Sequence, residues 1–369
     1  MKHVKGRNYQ DDGYCLLCDE TVFDPEWDAA VASVPGGDLA QTTMWAATRQ
    51  RLGFSSHHIR MKSTDGRLIG GCIINTRRLM PGVWVGSVTH GPILFNGQQE
   101  QADRLVAAIQ AIATQCYVKL LLVKPPEHHD AIGIALKKAG FRVGVAAIAP
   151  EATLRLNIQR DDSQLMALMK SGRRREIRKG LGEVEVVESS DVNLFHQLHS
   201  CTGTRQGFRP LTAANLHLQW EWLHPSRNSQ IFIAKSGGVP FAGLWLIRFA
   251  DTVTFKLTGW DSSLGSQYGN AVLHWVAMRW ARDTGAAIYD FGGIDPAFAE
   301  NILTGQELSE KFTQSTAFFK LQFGGYPVLL PRTHFVMLPR VLQTGFGGAA
   351  QQILSSGYMR RFANVFRNG

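Results

Sequence analysis

The sequence predicts a mixed α/β protein whose plan of sheet and helix is written twice, and three observations lead there. Alternating apolar runs bounded by turn residues come in pairs, as antiparallel strands do. An amphipathic helix follows each pair, and a short apolar strand follows each helix, which is the pattern of a crossover connection. At 369 residues the chain is also longer than one compact core usually needs, so two domains are expected.

In the first module Asp65-Gly66 makes a turn that opens an extended run from Arg67 to Asn75, and Val83 to Val88 returns beside it. A helix from Gln101 to Gln115 then places Leu105, Ala108, Ile109 and Ile112 on one face. The apolar strand Val118 to Val123 follows, then a helix at about His129 to Ala139 and a strand after Gly140-Phe141. The second module repeats the order. Gly237-Gly238 opens Val239 to Ile247, Thr252 to Thr258 pairs with it, and a helix from Asn270 to Arg282 carries Leu273, Val276, Ala277 and Trp280 on one side. The strand Ala287 to Phe291 comes next, then the segment Phe319-Lys-Leu-Gln-Phe-Gly-Gly325 and a strand after it. The boundary falls near Pro150 to Thr153, where one strand ends and another begins ahead of a helix running from Ser163 to Lys179. This gives domains 1–152 and 153–334.

Composition narrows the class. Hydrophobic residues are 44%, aromatic 10% and charged 19%, enough apolar material for sizeable cores and against global disorder. A formal charge of +9 favours polyanionic partners, or else reflects a solvated basic surface. The basic start from Met1 to Arg7 is not followed by an apolar run of signal-peptide length, and no stretch approaches the roughly 18 apolar residues of a membrane span, so a cytoplasmic protein is expected. Cys15, Cys18, Cys72, Cys116 and Cys201 are scattered, and no second pair complements Cys15 and Cys18, which argues against a disulfide framework and against a zinc site. No metal is expected.

Four features could carry chemistry. Arg173, Arg174, Arg175, Arg178 and Lys179 crowd the end of a helix, where they could hold phosphates or only complement the helix dipole. Lys320 is the strongest catalytic candidate for any reaction that builds negative charge on a carbonyl oxygen, which a fixed cation in a dry site stabilises; Phe318, Phe319 and Phe323 would wall that site. The competing reading is a lysine snorkelling from a core helix. Asp290 and Asp295 flank Gly292-Gly293 and could serve as a general base, although strand-end aspartates more often hold turns. The segment Ser266-Gln-Tyr-Gly-Asn-Ala271 partly matches a coenzyme A pyrophosphate loop but has Ser at the leading position. The histidines are dispersed, and His128-His129 reads as surface.

With these residues in view, the chain from Phe23 to Pro339 resembles the Fem family of aminoacyltransferases, which use two tandem copies of the N-acetyltransferase (GNAT) fold. The resemblance rests on Arg174, Ile177, Arg178 and Lys179, in the register of a recurrent Arg-x-x-Ile-Arg-Lys run, and on Phe319-Lys320, which matches the family's Phe-Lys pair. It also rests on Gln41, Trp45 and Arg49, in the pattern of a Gln, an aromatic residue and a phosphate-binding cation. Arg49 replaces the family's lysine, a planar fork in place of a point charge. Arg205, with Arg209 beside it, matches an arginine near the acceptor site.

The resemblance implies two tandem GNAT-like domains, with residues 335–369 packing back on the first. It implies catalysis by Lys320, acceptor contacts from Arg49, Arg205, Arg209, Phe319 and Trp45, and tRNA or phosphate contacts from Arg174, Arg178 and Lys179. The donor would be aminoacyl-tRNA, with no tightly bound cofactor and no DNA partner. The acceptor would be an amine of a nucleotide- or lipid-linked peptidoglycan precursor. Phe95-Asn96, standing where the family often has an acidic residue, departs from the acceptor pattern. The basic amphipathic stretch Tyr358 to Arg367 would dock on the first module or touch the inner face of the membrane. Two alternatives stay open: an acyl-coenzyme A N-acyltransferase acting on an amino sugar or polysaccharide precursor, and a non-catalytic binding protein of the same fold.

Overall fold

A computed structural model describes residues 7–11, 14–20, 23–144, 147–225, 227–264 and 268–338. The chain divides into two compact units. Unit 1 takes the residues up to Ala149 together with those from Pro331 onward, and unit 2 is Pro150–Leu330.

Unit 1 is built on one mixed sheet. Its strands are β1 (Arg7–Asp11), β2 (Tyr14–Glu20), β3 (Ser55–Ser63), β4 (Leu68–Met80), β5 (Val83–Thr89), β6 (Ile93–Leu94), β7 (Val118–Lys124), β8 (Arg142–Val143) and, from the far end of the chain, β16 (His334–Met337). They lie in the order β1-β2-β3-β4-β5-β7-β16-β8, with β6 beside β4. Among the described residues four α-helices accompany the sheet: α1 (Pro25–Ser33), α2 (Thr43–Arg51), α3 (Gln99–Gln115) and α4 (Asp130–Lys138). Asp24 starts α1 by accepting from the Trp27 amide at 3.0 Å, with Pro25 at the first helical position, where a missing N–H costs nothing. Thr42 caps α2 in the same way. Helix α3 buries Leu105, Ile109 and Ile112 with Ala102 and Val106, and Ala108 lies at the edge of that face. Each of the Leu, Ile and Val side chains, fully buried, is worth about 1.5–3 kcal/mol. The crossover from β5 through α3 makes β5 and β7 parallel, paired from Trp84↔Val118 to Thr89↔Lys124.

Unit 2 has its own seven-stranded sheet, in the order β10-β11-β12-β13-β14-β9-β15. It opens with β9 (Ala152–Asn157), α5 (Asp162–Leu168), α6 (Ser171–Gly180), β10 (Glu185–Ser189), α7 (Val192–Gln206) and α8 (Ala213–Leu223). The antiparallel strands β11 (Ser229–Ser236), β12 (Val239–Phe249) and β13 (Thr252–Trp260) lead to α9 (Gly269–Asp283) and β14 (Ile288–Gly293). Helices α10 (Pro296–Leu303), α11 (Glu310–Thr313) and α12 (Thr316–Leu321) and the strand β15 (Tyr326–Leu329) complete it.

One expected helix is two. The run from Ser163 to Lys179 breaks at Met169-Lys170, whose ψ angles of 153° and 148° are extended. Met169 turns into the core at 2% exposure, and Arg174 donates back to its carbonyl at 2.8 Å, so the break satisfies the loose end of α5. On α9, Leu273 and Ala277 are buried as expected, but the buried face is carried further by His274, Trp275 and Met278, while Val276 and Trp280 are half-buried. The core of unit 2 gathers around α9, β12 and β14.

The parallel pair β13–β14 is short, running only from Thr252↔Ile288 to Thr254↔Asp290. Beyond it β14 bulges against β9, where pairing skips from Asp290↔Arg155 to Gly293↔Thr153. The stretch Tyr358 to Arg367, residues 339–369 of the returning segment and residues 266 and 267 of the Ser266–Ala271 motif lie outside the described residues. Among the described residues no helix is long and apolar enough to cross a membrane.

Candidate active site

The site is built where the β13–β14 ladder ends. Helix α12 is capped by Ser315, which accepts from the Phe318 amide at 3.2 Å, and it delivers Lys320 to that point. The ammonium donates to the Gly293 carbonyl on β14 at 3.1 Å and lies 5.2 Å from the centroid of Phe255 on β13. It thus touches both strands just past their last pair. Lys320 is 8% exposed, so it does not snorkel to solvent. Gly292 has φ +72°, and a Cβ there would fall 2.8 Å from the Phe255 carbonyl, so only glycine fits the bulge that presents Gly293.

Next to the cation, aromatic rings gather around His274. Phe319, Phe323, Phe291, Phe255 and Tyr289 all pack around the His274 ring, which shares a hydrogen bond of 2.9 Å with the Tyr289 hydroxyl. Burial, then the charges of Lys320 and Arg173, push the imidazole down to about 3, so it stays neutral. Burial also pushes Lys320 down to about 8, and the Asp290 carboxylate opposes that shift. The lysine therefore remains charged at neutral pH in a place with little water. A carbonyl oxygen brought to it would have its developing negative charge stabilised at low local dielectric.

Arg173 corrects an expectation. The sequence places it with the phosphate-binding cations, but it is 4% exposed and works inside the fold. Its guanidinium lies 4.0 Å from the centroid of Phe319 and 4.8 Å from that of Phe323, donates to Gln322 Oε1 at 2.8 Å and pairs with Glu176. It clamps the start of α6 to the helix that bears Lys320. Arg174 is half-buried and bonded to the end of α5. Arg175, Arg178 and Lys179 are the exposed cations of α6, with the Lys179 ammonium 5.2 Å from the Tyr268 ring.

Asp290 holds the bulge. It accepts from the Gly292 amide at 2.7 Å, from Arg155 Nε at 3.0 Å and from Thr153 Oγ1. Asp295 caps α10 through the Ala297 amide at 2.9 Å. The turn-holding reading thus describes both aspartates. Phe318 is half-buried against the same core.

The candidate acceptor residues fall in separate places. In unit 1, Arg49 on α2 is 2% exposed, its guanidinium 4.1 Å from the Phe54 ring centroid, and Arg77 lies 5.0 Å from the same ring. The bland alternative of an exposed helix arginine does not hold for Arg49; of the two cations on Phe54, Arg77 is the more open to solvent. Trp45 is half-buried on the same helix. Gln41 is buried and structural, donating to the Thr89 carbonyl and accepting from the Ile73 amide. In unit 2, Arg205 is exposed, 4.3 Å from the Trp260 ring centroid, and Arg209 is exposed in the loop after α7. The His129 ring nitrogens face the Glu127 carbonyl at 2.8 Å and the Leu94 carbonyl at 3.0 Å, and no group of His, Cys, Asp or Glu suited to a metal occurs among the described residues.

Sequence reasoning missed Arg173, His274 and Gln322 as parts of the Lys320 site. The spacing of Phe319 and Phe323 around Lys320 was a usable signal for a clamped helix. Nothing local marks His274, whose partners arrive from three other elements.

Residues 153–300 match the family described as Acetyltransferase (GNAT) domain. The chain is 24% identical over 229 residues to the Lipid II:glycine glycyltransferase of Staphylococcus aureus (strain MRSA252), covering 58% of this chain and 54% of that protein. It thus spans about half the length of the curated relatives it matches. Among solved structures, FemX superposes with a TM-score of 0.75 at 18% identity, covering 88% of this chain and 98% of that one. A tandem GNAT protein from the clavulanic acid biosynthesis pathway superposes at 0.56 and 10% identity, covering 87% and 98%. The fold is therefore two tandem GNAT-like units. In sequence the chain is similar to the Lipid II:glycine glycyltransferase, and in fold to FemX, over most of its length.

Proposed function

We propose that the protein forms amide bonds, moving an aminoacyl group from aminoacyl-tRNA to an amine of a peptidoglycan precursor related to lipid II. The observation that carries this reading is the buried, charged Lys320 held across the end of the β13–β14 ladder. The acceptor nitrogen attacks the ester carbonyl; the new C–N bond forms, the C–O bond to the tRNA ribose breaks, and the proton leaving the amine ends on the ribose hydroxyl. Lys320 stabilises the oxyanion between those events. Arg175, Arg178 and Lys179 offer phosphate contacts to the donor. The Arg49–Arg77 pair in unit 1, and Arg205 and Arg209 in unit 2, offer cations to an anionic acceptor. The relatives that support the acceptor are named for lipid II, so the reading places the protein in the cytoplasm, peripheral to the inner membrane face.

An acyl-coenzyme A donor is the second reading. It is favoured by the partial match of Ser266–Ala271 to a coenzyme A pyrophosphate loop at the start of α9. One experiment separates the two. Purified protein is given labelled aminoacyl-tRNA or labelled acetyl-coenzyme A with a lipid-linked or nucleotide-linked muramyl peptide, and amide product is followed by mass spectrometry. Product from tRNA alone is the expected outcome; product from coenzyme A alone replaces the first reading with the second. No product from either donor, with the protein still binding tRNA, supports a non-catalytic binding role.

A further inference from the structure

The Lys320 ammonium donates to the Gly293 carbonyl, which lies on the far side of a break in the β14–β9 ladder. Regular pairing stops at Asp290 and resumes at Gly293, so the direction of the Gly293 carbonyl is set by the bulge between them. The bulge is fixed from inside by Asp290, whose Oδ1 receives the Gly292 amide at 2.7 Å and the Thr153 hydroxyl, while its Oδ2 receives Arg155 Nε at 3.0 Å. At 6% exposure the carboxylate is also a buried anion whose charge acts on the ammonium. We propose that Asp290 is a positioning residue for Lys320, pinning the bulge so that Gly293 faces the ammonium and supplying the carboxylate that keeps it charged. This rests on the reading of Lys320 as the group that meets the reacting carbonyl.

The other charged or titratable groups around Lys320 work against its charge or leave it unchanged. Arg173 on α6 is a second buried cation, Arg155 on β9 partly neutralises Asp290, and His274 on α9 is neutral. Glu176 pairs with Arg173, and burial raises the Tyr289 hydroxyl far above its ordinary range, so it stays protonated. Asp290 is therefore the group whose loss should change the lysine's ionisation most, and it lowers that ionisation when removed.

The test is a titration of Lys320 by carbon–nitrogen NMR in protein labelled at lysine, its signal assigned by disappearance in Lys320→Arg. Asp290→Asn keeps the shape and can still accept from the Gly292 amide. It is expected to move the Lys320 midpoint down by about one unit, tenfold in the charged-to-neutral ratio. Arg155→Gln leaves the Asp290 charge unshielded and is expected to move the midpoint up. An unchanged midpoint in folded Asp290→Asn overturns the proposal; should that variant not fold, an unchanged or lowered midpoint in Arg155→Gln does the same. A merely structural role would not produce shifts of opposite sign. The titration uses no substrate, so it separates from the functional reading: a shifted midpoint, with Lys320→Met transferring like the unaltered protein, would keep the positioning role and remove the catalytic one.

Discussion

The two units share a run of three antiparallel strands, a crossover helix and a parallel strand, and each buries a lysine beside its parallel strand pair, yet the two lysines are held differently. In unit 1 the β5–β7 ladder continues to Thr89↔Lys124, so Lys124 belongs to the ladder itself. Its side chain is 0% exposed and its ammonium donates to the Pro331 carbonyl in the segment leading into β16. In unit 2 the equivalent ladder stops at Thr254↔Asp290, and Lys320 arrives from a separate helix after pairing has ended. The first lysine ties a returning strand to its sheet. The second is placed against a bulged strand end and a ring face, on a helix whose position is set by the Arg173 clamp. A buried cation is thus a strut where the ladder is complete and a candidate catalytic group where it is interrupted.

The sharpest way to break this contrast is to replace each lysine with methionine. Lys320→Met is expected to lower the transfer rate by about 10²–10³-fold, the cost of removing one oxyanion donor. It should also raise the melting temperature, by less than relief of the buried charge alone, because the Gly293 carbonyl loses its donor. The folded-state value for Lys320, about 8, lies below the unfolded value near 10.5. The folded state therefore loses stability as pH falls from about 10.5 to about 8 and stays penalised below that, by at most about 3 kcal/mol. Lys124→Met is expected to do the reverse, leaving the rate per folded molecule unchanged and destabilising by about 1–3 kcal/mol through the orphaned Pro331 carbonyl. Thermal denaturation and turnover measured on the same samples decide it. Lys124→Met abolishing turnover at full stability would end the strut reading.

The doubled plan was legible because each module spells its local signals clearly. Asp65-Gly66 and Gly237-Gly238 do turn between paired strands, and the apolar stripes of α3 and α9 do face their sheets. What sequence could not supply was the interruption of the β13–β14 ladder. Nothing in Tyr289-Asp-Phe-Gly-Gly293 says that pairing with β9 will skip from Asp290 to Gly293, since that depends on Thr153 and Arg155, far away in the chain. Arg173 was misjudged for a related reason. A run of cations reads as one solvated face, and only the helix break at Met169-Lys170 turns its first member inward onto Phe319 and Phe323. Patterns of period shorter than a helix turn are visible in sequence; contacts closed across a hundred residues are not.

A pH profile gives the next largest effect. With Lys320 charged only below about 8, transfer should be independent of this group at lower pH and fall about tenfold per unit above it. A lysine of ordinary basicity, near 10.5, would leave the rate level through the same range. The position of the alkaline limb in kcat/KM therefore reports on the buried environment, and a limb at about 10 would mean that Lys320 is solvated in the working protein. In Asp290→Asn the limb should move to lower pH along with the NMR midpoint.

The smallest effect concerns donor binding, and it again sets the units against each other. Unit 2 ends α6 with exposed Arg178 and Lys179, and unit 1 ends α4 with exposed Lys137 and Lys138, the latter paired with Asp103. Both pairs complement a helix dipole, so net charge and local stability give no reason to prefer one. Only the first stands on the helix whose buried start is clamped by Arg173 to Phe319, beside Lys320 on α12. If tRNA phosphates meet that helix, Arg178→Ala and Lys179→Ala should each weaken tRNA binding severalfold and reduce the slope of log K against log salt by about 0.7. Lys137→Ala and Lys138→Ala should leave the slope unaltered. Equal losses from both pairs would show that the chain attracts RNA through overall charge alone, and the basic end of α6 would then have no claim on the donor.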